Sequence, residues 1–316
     1  MRPKADTTSR AARVVLIYLS GALGDCVLST PALAALRAAF PDAHLHGLVP
    51  PALPLLYPHL FNSWTAIDRA AVAELFSADA GRALAAQAAW RAADTAVIFE
   101  PPGAVLARRL RATGRMRVVC VDATPARCVN ESYAVWLWRR TAEALGGAPA
   151  FSVPVPAGVA PPQPPAPPFA VVHPGSGSAA KNCPAERLAT ACLNAARARQ
   201  QPRAAAGAPQ PWHWIMIATE SDRRAVDAFI RAWRAPLELV LNAPLPHVVW
   251  YLRQAAYYVG NDSGISHLAG AAGVRGIVFF GPTNPRVWRP LGSTIAVEIF
   301  TAASRRIKAA PARRRD

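Results

Sequence analysis

Between Val259 and Gly273 the sequence VGNDSGISHLAGAAG compresses the end of an apolar strand, a polar turn and the start of a helix into fifteen residues. A chain with such a unit must find a place for a buried strand with a helix packed on it, which points to α/β architecture. Tyr257, Tyr258 and Val259 read as the strand end, and Gly260 to Gly264 supply turn and N-cap chemistry. Ile265, Leu268, Ala269 and Ala272 recur at helical spacing. A helix that starts this way offers free N–H groups and the positive end of its dipole. Asp262, Ser263, Gly264 and His267 are therefore candidates for holding a phosphate, His267 from the first turn. The alternative reading of the same residues is an ordinary capped helix.

Two further segments have the same form. Phe169 to Val172 is a short apolar run, followed by His173-Pro174-Gly175-Ser176-Gly177-Ser178, by Lys181, and by a helix opening at Pro184 with Glu186 in its first turn. Glycines admit backbone amides close to an anion, Ser176 and Ser178 add hydroxyls, and Lys181 adds a full charge. The spacing is not that of a P-loop. Near the N-terminus, Arg13 to Ser20 is a β-rich run, Gly21 to Asp25 a turn, and a helix follows from about Val27 to Phe40. This turn lacks the third glycine and downstream acid of a dinucleotide fingerprint. Asp25, at the C-terminal edge of the first strand, is either a ligand-facing acid or a helix N-cap.

The chain resembles the family 9 glycosyltransferases, the heptosyltransferases of the lipopolysaccharide inner core. The stretches that carry the likeness are LSGALGDCVLSTPALAALRAAFPDAHLHGLV, VVHPGSGSAAKNCPAERLA and VGNDSGISHLAGAAGVRGIVFFGPTNPRVWRPLG, in the family's order. The resemblance implies a GT-B fold, two doubly wound Rossmann-like domains facing a cleft. It also implies an ADP-heptose donor and an anionic, lipid-linked sugar as acceptor. It gives Asp25, in the G-D pair Gly24-Asp25, the place of the catalytic aspartate. Either Asp222, after the run WIMIATE, or Glu220, the last residue of that run, would take the place of the acid that contacts the nucleoside. Arg108 and Arg109 follow the place where an acceptor-loop lysine is common and Leu106 stands here. Asn182-Cys183 stand where the family commonly has Arg-Trp, and the usual closing helix is not reached before Asp316.

With 316 residues the chain can bury two cores of ordinary size. The expected division is an acceptor-side domain over residues 1–155, a Pro-rich linker over 156–168, a nucleotide-sugar domain over 169–300 and a basic tail over 301–316. Residues 199–211 read as a surface insertion. Five cysteines without a C-x-x-C pair fit a reducing compartment. The apolar run near the N-terminus is broken by Gly21, Gly24 and Asp25, so it reads as neither signal peptide nor membrane span. A cytoplasmic protein is expected. The formal net charge of +16, with Arg305, Arg306, Lys308, Arg313, Arg314 and Arg315 crowding the end, suits nucleic acid or an anionic membrane. No nucleic-acid module is recognisable, and the resemblance, whose acceptor is a lipid-linked sugar, implies peripheral contact with the inner membrane.

The chemistry implied is an inverting displacement with Asp25 as general base. Ser176, Ser178, Lys181 and the amides after Ser263 would hold the departing diphosphate, with His267 adding a donor. Asp262 would fix the loop or touch the ribose. No spacing of His or carboxylate residues resembles a metal site, and no cofactor beyond the nucleotide sugar is expected. Two rival activities fit the same fold, a sugar-nucleotide epimerase or hydrolase and a non-catalytic nucleotide- or glycolipid-binding relative.

Overall fold

The computed structural model describes residues 13–128, 130–147, 150–200 and 212–301. The basic residues from Arg305 to Arg315 and nearly all of the expected insertion after Arg199 lie outside the described residues. Two parallel sheets carry the fold. The first contains β1 (Val14–Tyr18), β2 (His44–Val49), β3 (Ser63–Ala66), β4 (Thr95–Ile98) and β5 (Arg117–Cys120), in the order β3-β2-β1-β4-β5. The second contains β6 (Phe169–His173), β7 (His213–Ala218), β8 (Glu238–Leu241), β9 (Tyr257–Asn261), β10 (Gly276–Phe280) and β11 (Ile295–Ile299). Its order is β11-β10-β9-β6-β7-β8. Each sheet therefore has one point where the winding reverses, between β1 and β4 in the first and between β6 and β9 in the second. A crevice for ligands opens at such a point, outside the C-terminal ends of the strands.

The strands look as the sequence suggests because both faces of each sheet are covered. In β6 all five residues are buried, and in β1 all but Val14. This is the continuous apolar run expected of a parallel strand rather than an alternation. Leu16, Ile98, Leu84, Trp90 and Leu110 centre the first core. Val172, Leu188, Met216, Phe229 and Phe279 centre the second.

By its contacts the chain forms two units. One comprises Met1–Ala22, Ser29–Cys128 and Ala134–Pro154; the other comprises Leu23–Leu28, Val129–Tyr133 and Val155–Asp316. This differs from the expected division at the Pro-rich stretch, at Leu23–Leu28 and at Val129–Tyr133. The Pro-rich stretch is no free linker, because the Val159 N–H donates to the Pro246 carbonyl at 3.0 Å. Gly158 also lies so close to the helix Leu245–Gln254 that a Cβ there would meet the Trp250 nitrogen at 2.9 Å. The second difference is Leu23–Leu28, which counts with the C-terminal unit although it follows β1 directly. The helix expected from about Val27 starts at Leu23 and runs to Ala39, so Asp25 lies inside its first turn and is not its N-cap. Trp136 and Trp138, next to Arg139 and Arg140 on the helix Tyr133–Leu145, are turned inward. Trp136 is buried, and the ring of Trp138 packs edge-on against Phe151.

Candidate functional site

The helix Gly264–Ala272 begins where β9 ends, and Ser263 caps it with extended backbone and an Oγ that accepts from the Ser266 N–H. Ser266 in turn donates to the Asn261 carbonyl at 2.5 Å, so the strand end and the first helical turn are tied to each other. Asn261 was not singled out from the sequence, yet it organises the neighbouring loop. Its Nδ2 donates to the Pro174 carbonyl at 2.7 Å and its Oδ1 accepts from the Cys183 N–H at 2.9 Å. One fully buried amide therefore grips both ends of the Gly/Ser loop after β6. A buried polar side chain must have its partners supplied, and here they are the loop's own backbone groups.

Within that loop the hydroxyls are already engaged. Ser176 Oγ lies 2.6 Å from both the Ser178 carbonyl and Asn182 Oδ1. Ser178 caps a short 3-10 turn over Ala179–Lys181 by accepting from the Ala180 N–H. Lys181 follows at the end of this turn, and its Nζ reaches Asp262 Oδ2 at 2.9 Å. The ion pair spans the reversal point between β6 and β9.

Asp262 is the hub. Its side chain is 3% exposed, and Thr283 Oγ1 donates to Oδ2 at 2.5 Å, while Oδ1 faces His267 Nε2 at 3.7 Å. Burial by itself would raise the carboxyl pKa, but the bonds from His267, Thr283 and Lys181 and the Lys181 charge bring it down to about 2. It is an anion throughout the useful pH range. Of the two roles expected for Asp262, fixing the loop is the one its contacts describe.

His267 is 5% exposed in the first turn of the helix, and its Nδ1 has no hydrogen-bond partner among the described residues. The ring stands against Gly24, where a Cβ would come within 2.8 Å of Cδ2. Leu23 covers Gly264 in the same way, at 2.9 Å. The first turn of the helix Leu23–Ala39, with Gly24 and Asp25, thus belongs to the same cluster as His267. Nothing local to Gly24 signals that it has to be small for a side chain far along the chain.

Asp222 and Glu220 separate clearly. Asp222 is buried and closes a capping box, with Oδ2 accepting from the Thr219 N–H at 2.9 Å and from Thr219 Oγ1 at 2.8 Å. It also fills the space above Gly175, where a Cβ would lie 1.8 Å from Oδ1. Glu220 is exposed, and its N–H is fixed by Asn242 Oδ1 at 3.1 Å. At the end of β6, buried His173 donates through Nδ1 to the Ile217 carbonyl at 2.8 Å.

In the N-terminal unit, Arg108 and Arg109 stand exposed on the helix Val105–Ala112. Glu100, just beyond β4, has a buried Oε2 without a partner among the described residues, and burial raises its pKa. Among the described residues no group of three or more His, Cys, Asp or Glu side chains is placed to hold a metal ion. Nor is any described helix long and apolar enough to cross a membrane.

The family model described as Glycosyltransferase family 9 (heptosyltransferase) matches residues 213–308, a range that includes Asp262, His267 and Thr283. No curated protein matches the sequence. Among solved structures, the chain is similar to a glycosyl transferase family 9 protein from Veillonella parvula DSM 2008, at 15% identity and a TM-score of 0.69, covering 92% of this chain and 86% of that one. It is similar to ADP-heptose lps heptosyltransferase II from E. coli at 15% identity, TM-score 0.61, with 90% of each chain covered. Heptosyltransferase WaaC from E. coli, solved with ADP, aligns at 18% identity and TM-score 0.60 over 90% of this chain and 92% of that one.

The two parallel doubly wound sheets and the likeness to these structures give the chain the GT-B fold. Its match to the glycosyltransferase family 9 model is confined to residues 213–308.

Proposed function

We propose that this protein transfers heptose, with inversion, from ADP-heptose to a sugar of a lipopolysaccharide inner-core acceptor. The observation that carries the reading is the cluster at the reversal point of the second sheet. There a capped helix N-terminus, the Lys181 ammonium and the His267 ring converge around Asp262. Such an array suits the diphosphate of a nucleotide sugar. The E. coli relatives are described with ADP and as ADP-heptose enzymes, which favours that donor.

In the proposed reaction the acceptor hydroxyl attacks the anomeric carbon as the bond from that carbon to the diphosphate oxygen breaks. Asp25 takes the hydroxyl proton, and ADP leaves with the electron pair, its charge held by Lys181, the amides after Ser263 and His267. Support for Asp25 comes from its place in the helical turn beside Gly24, which packs on His267. Ser176 and Ser178, bonded to each other within the loop, shape the turn that carries Lys181 toward the phosphates. Glu220, exposed next to the buried Asp222 cap, is the better placed of the two acids for the ribose. Gly24, Arg108 and Arg109 are proposed for the acceptor side.

Product analysis with ADP-heptose, with and without an inner-core glycolipid, tests the reading. We expect glycolipid product and free ADP only when both substrates are present. Heptose or an isomerised donor formed without acceptor would point to the hydrolase or epimerase activity, and binding without turnover to a non-catalytic role. Asp25→Asn should keep ADP affinity while lowering turnover about 10²-fold or more. Unchanged turnover in a folded variant would remove Asp25 as the base.

A further inference from the structure

We propose that Thr283 is a positioning residue for Lys181, acting through Asp262, and that it thereby sets the affinity of the site for a nucleoside diphosphate. The inference rests on the donor-site reading above. It starts from an observation that reading does not use: Asp262 Oδ2 is shared by two donors from two different loops, Lys181 Nζ at 2.9 Å and Thr283 Oγ1 at 2.5 Å.

A lysine ammonium rides on four methylene groups and stands where its partner holds it. Its partner here is a carboxylate 3% exposed, against 33% for Lys181 itself. The orientation of Lys181 is therefore only as defined as that of Asp262. Thr283 takes one of the acceptor sites on Oδ2 and leaves the ammonium one way to approach. An ammonium has three N–H groups, so one bond to Asp262 leaves two for phosphate oxygens. Take the hydroxyl away and Oδ2 becomes a buried acceptor with an empty site. Lys181 can then satisfy it by sinking further onto the carboxylate, at the expense of the ligand.

The comparison is Thr283→Val, which keeps the shape and removes the hydroxyl, with Thr283→Ser, which restores it. ADP is the probe. We expect Thr283→Val to weaken ADP about 3- to 10-fold, a fraction of what loss of a direct charge-assisted bond would cost, and Thr283→Ser to bind as the native chain does. A merely structural threonine would weaken binding whether or not Lys181 were present. In a Lys181→Ala background, however, the valine should change ADP affinity less than about twofold, because coupled residues lose their separate effects.

A second readout needs no nucleotide. The sequence has only three lysines, Lys4, Lys181 and Lys308, so ¹³C-methylation gives a spectrum in which Lys181→Ala assigns the Lys181 signal. That signal should change its chemical shift in Thr283→Val and return in Thr283→Ser. An unchanged Lys181 signal in the folded valine variant overturns the proposal, as does an equal loss of ADP affinity in both backgrounds. If the native chain binds no ADP, the donor reading fails instead, and the Lys181 signal alone decides the role of Thr283.

Discussion

At the scale of single residues, His46 has the best-defined protonation state in the N-terminal unit. The Trp90 indole N–H donates to its Nε2 at 3.1 Å, so that nitrogen carries the lone pair, and Nδ1–H is left to donate to Ser63 Oγ at 2.7 Å. Ser63 can then give its own proton to His44 Nε2 at 2.6 Å, and Thr65 Oγ1 lies 3.0 Å from His46 Nε2. A proton added to Nε2 would face the indole N–H. Burial first, and His44 second, lower the His46 pKa to about 4 from the ordinary 6.5. A histidine whose folded pKa is depressed stabilises the fold above its unfolded pKa. That stability is lost as the pH falls from about 6.5 through about 4, and amounts to roughly 3 kcal/mol for a shift of this size. Thermal melts of the native chain and His46→Gln at pH 7 and pH 5 should show the native Tm falling more than the variant's. Parallel falls would mean that His46 does not control this limb.

Elements raise a different question, namely why they come so close. Gly270 lies in the helix Gly264–Ala272, where helix propensity alone favours alanine by about 1 kcal/mol. A Cβ there, however, would lie 2.5 Å from the Leu291 carbonyl oxygen and 2.7 Å from Pro290 Cβ. The neighbour is backbone and a proline ring, neither of which can rotate away, so the clash should win. Gly270→Ala is expected to destabilise the domain by roughly 1–3 kcal/mol in urea denaturation. A variant as stable as the native chain would show that the helix can shift at little cost. The sequence revealed this helix almost to the residue, because Ser263 and the spacing of Ile265, Leu268, Ala269 and Ala272 are local signals. The start of the helix Leu23–Ala39 was missed for the opposite reason. Gly21 and Gly24 look like turn residues, but Gly24 is helical and small because His267, more than two hundred residues later, needs the space. Lys181 and Asp262 could each be singled out as candidate site residues, and their pairing could not, since nothing within a few residues of either encodes it. Thr283 and Asn261 escaped notice for the same cause. Trp136 stands close in sequence to Arg139 and Arg140, yet the helix turns those outward and the tryptophan into the core.

For the whole molecule, the two doubly wound sheets that the resemblance implied are the ones observed, and its charge remains the feature with most bearing on where it works. A net +16 is a property of the full sequence, with six basic residues in the last twelve. We expect the native chain to bind vesicles containing acidic lipid, and binding to fall steeply as salt shortens the Debye length below about 8 Å. Removal of the residues after Ala303 should reduce that binding and spare transfer to a delipidated acceptor. Vesicle binding that survives truncation would place the membrane contact on another surface.

The grip of Asn261 on the loop after β6 also bears on the order in which the molecule can assemble. The Cys183 N–H is held by a side chain 78 positions away, and the Pro174 carbonyl by the same side chain across 87. Neither bond can exist until β9 has docked beside β6, so the loop takes its final form only when the centre of that sheet is closed. Its amides should then behave as part of the core in hydrogen exchange. The Cys183 amide would open only with the sheet, while exposed loop amides elsewhere exchange through local fluctuations.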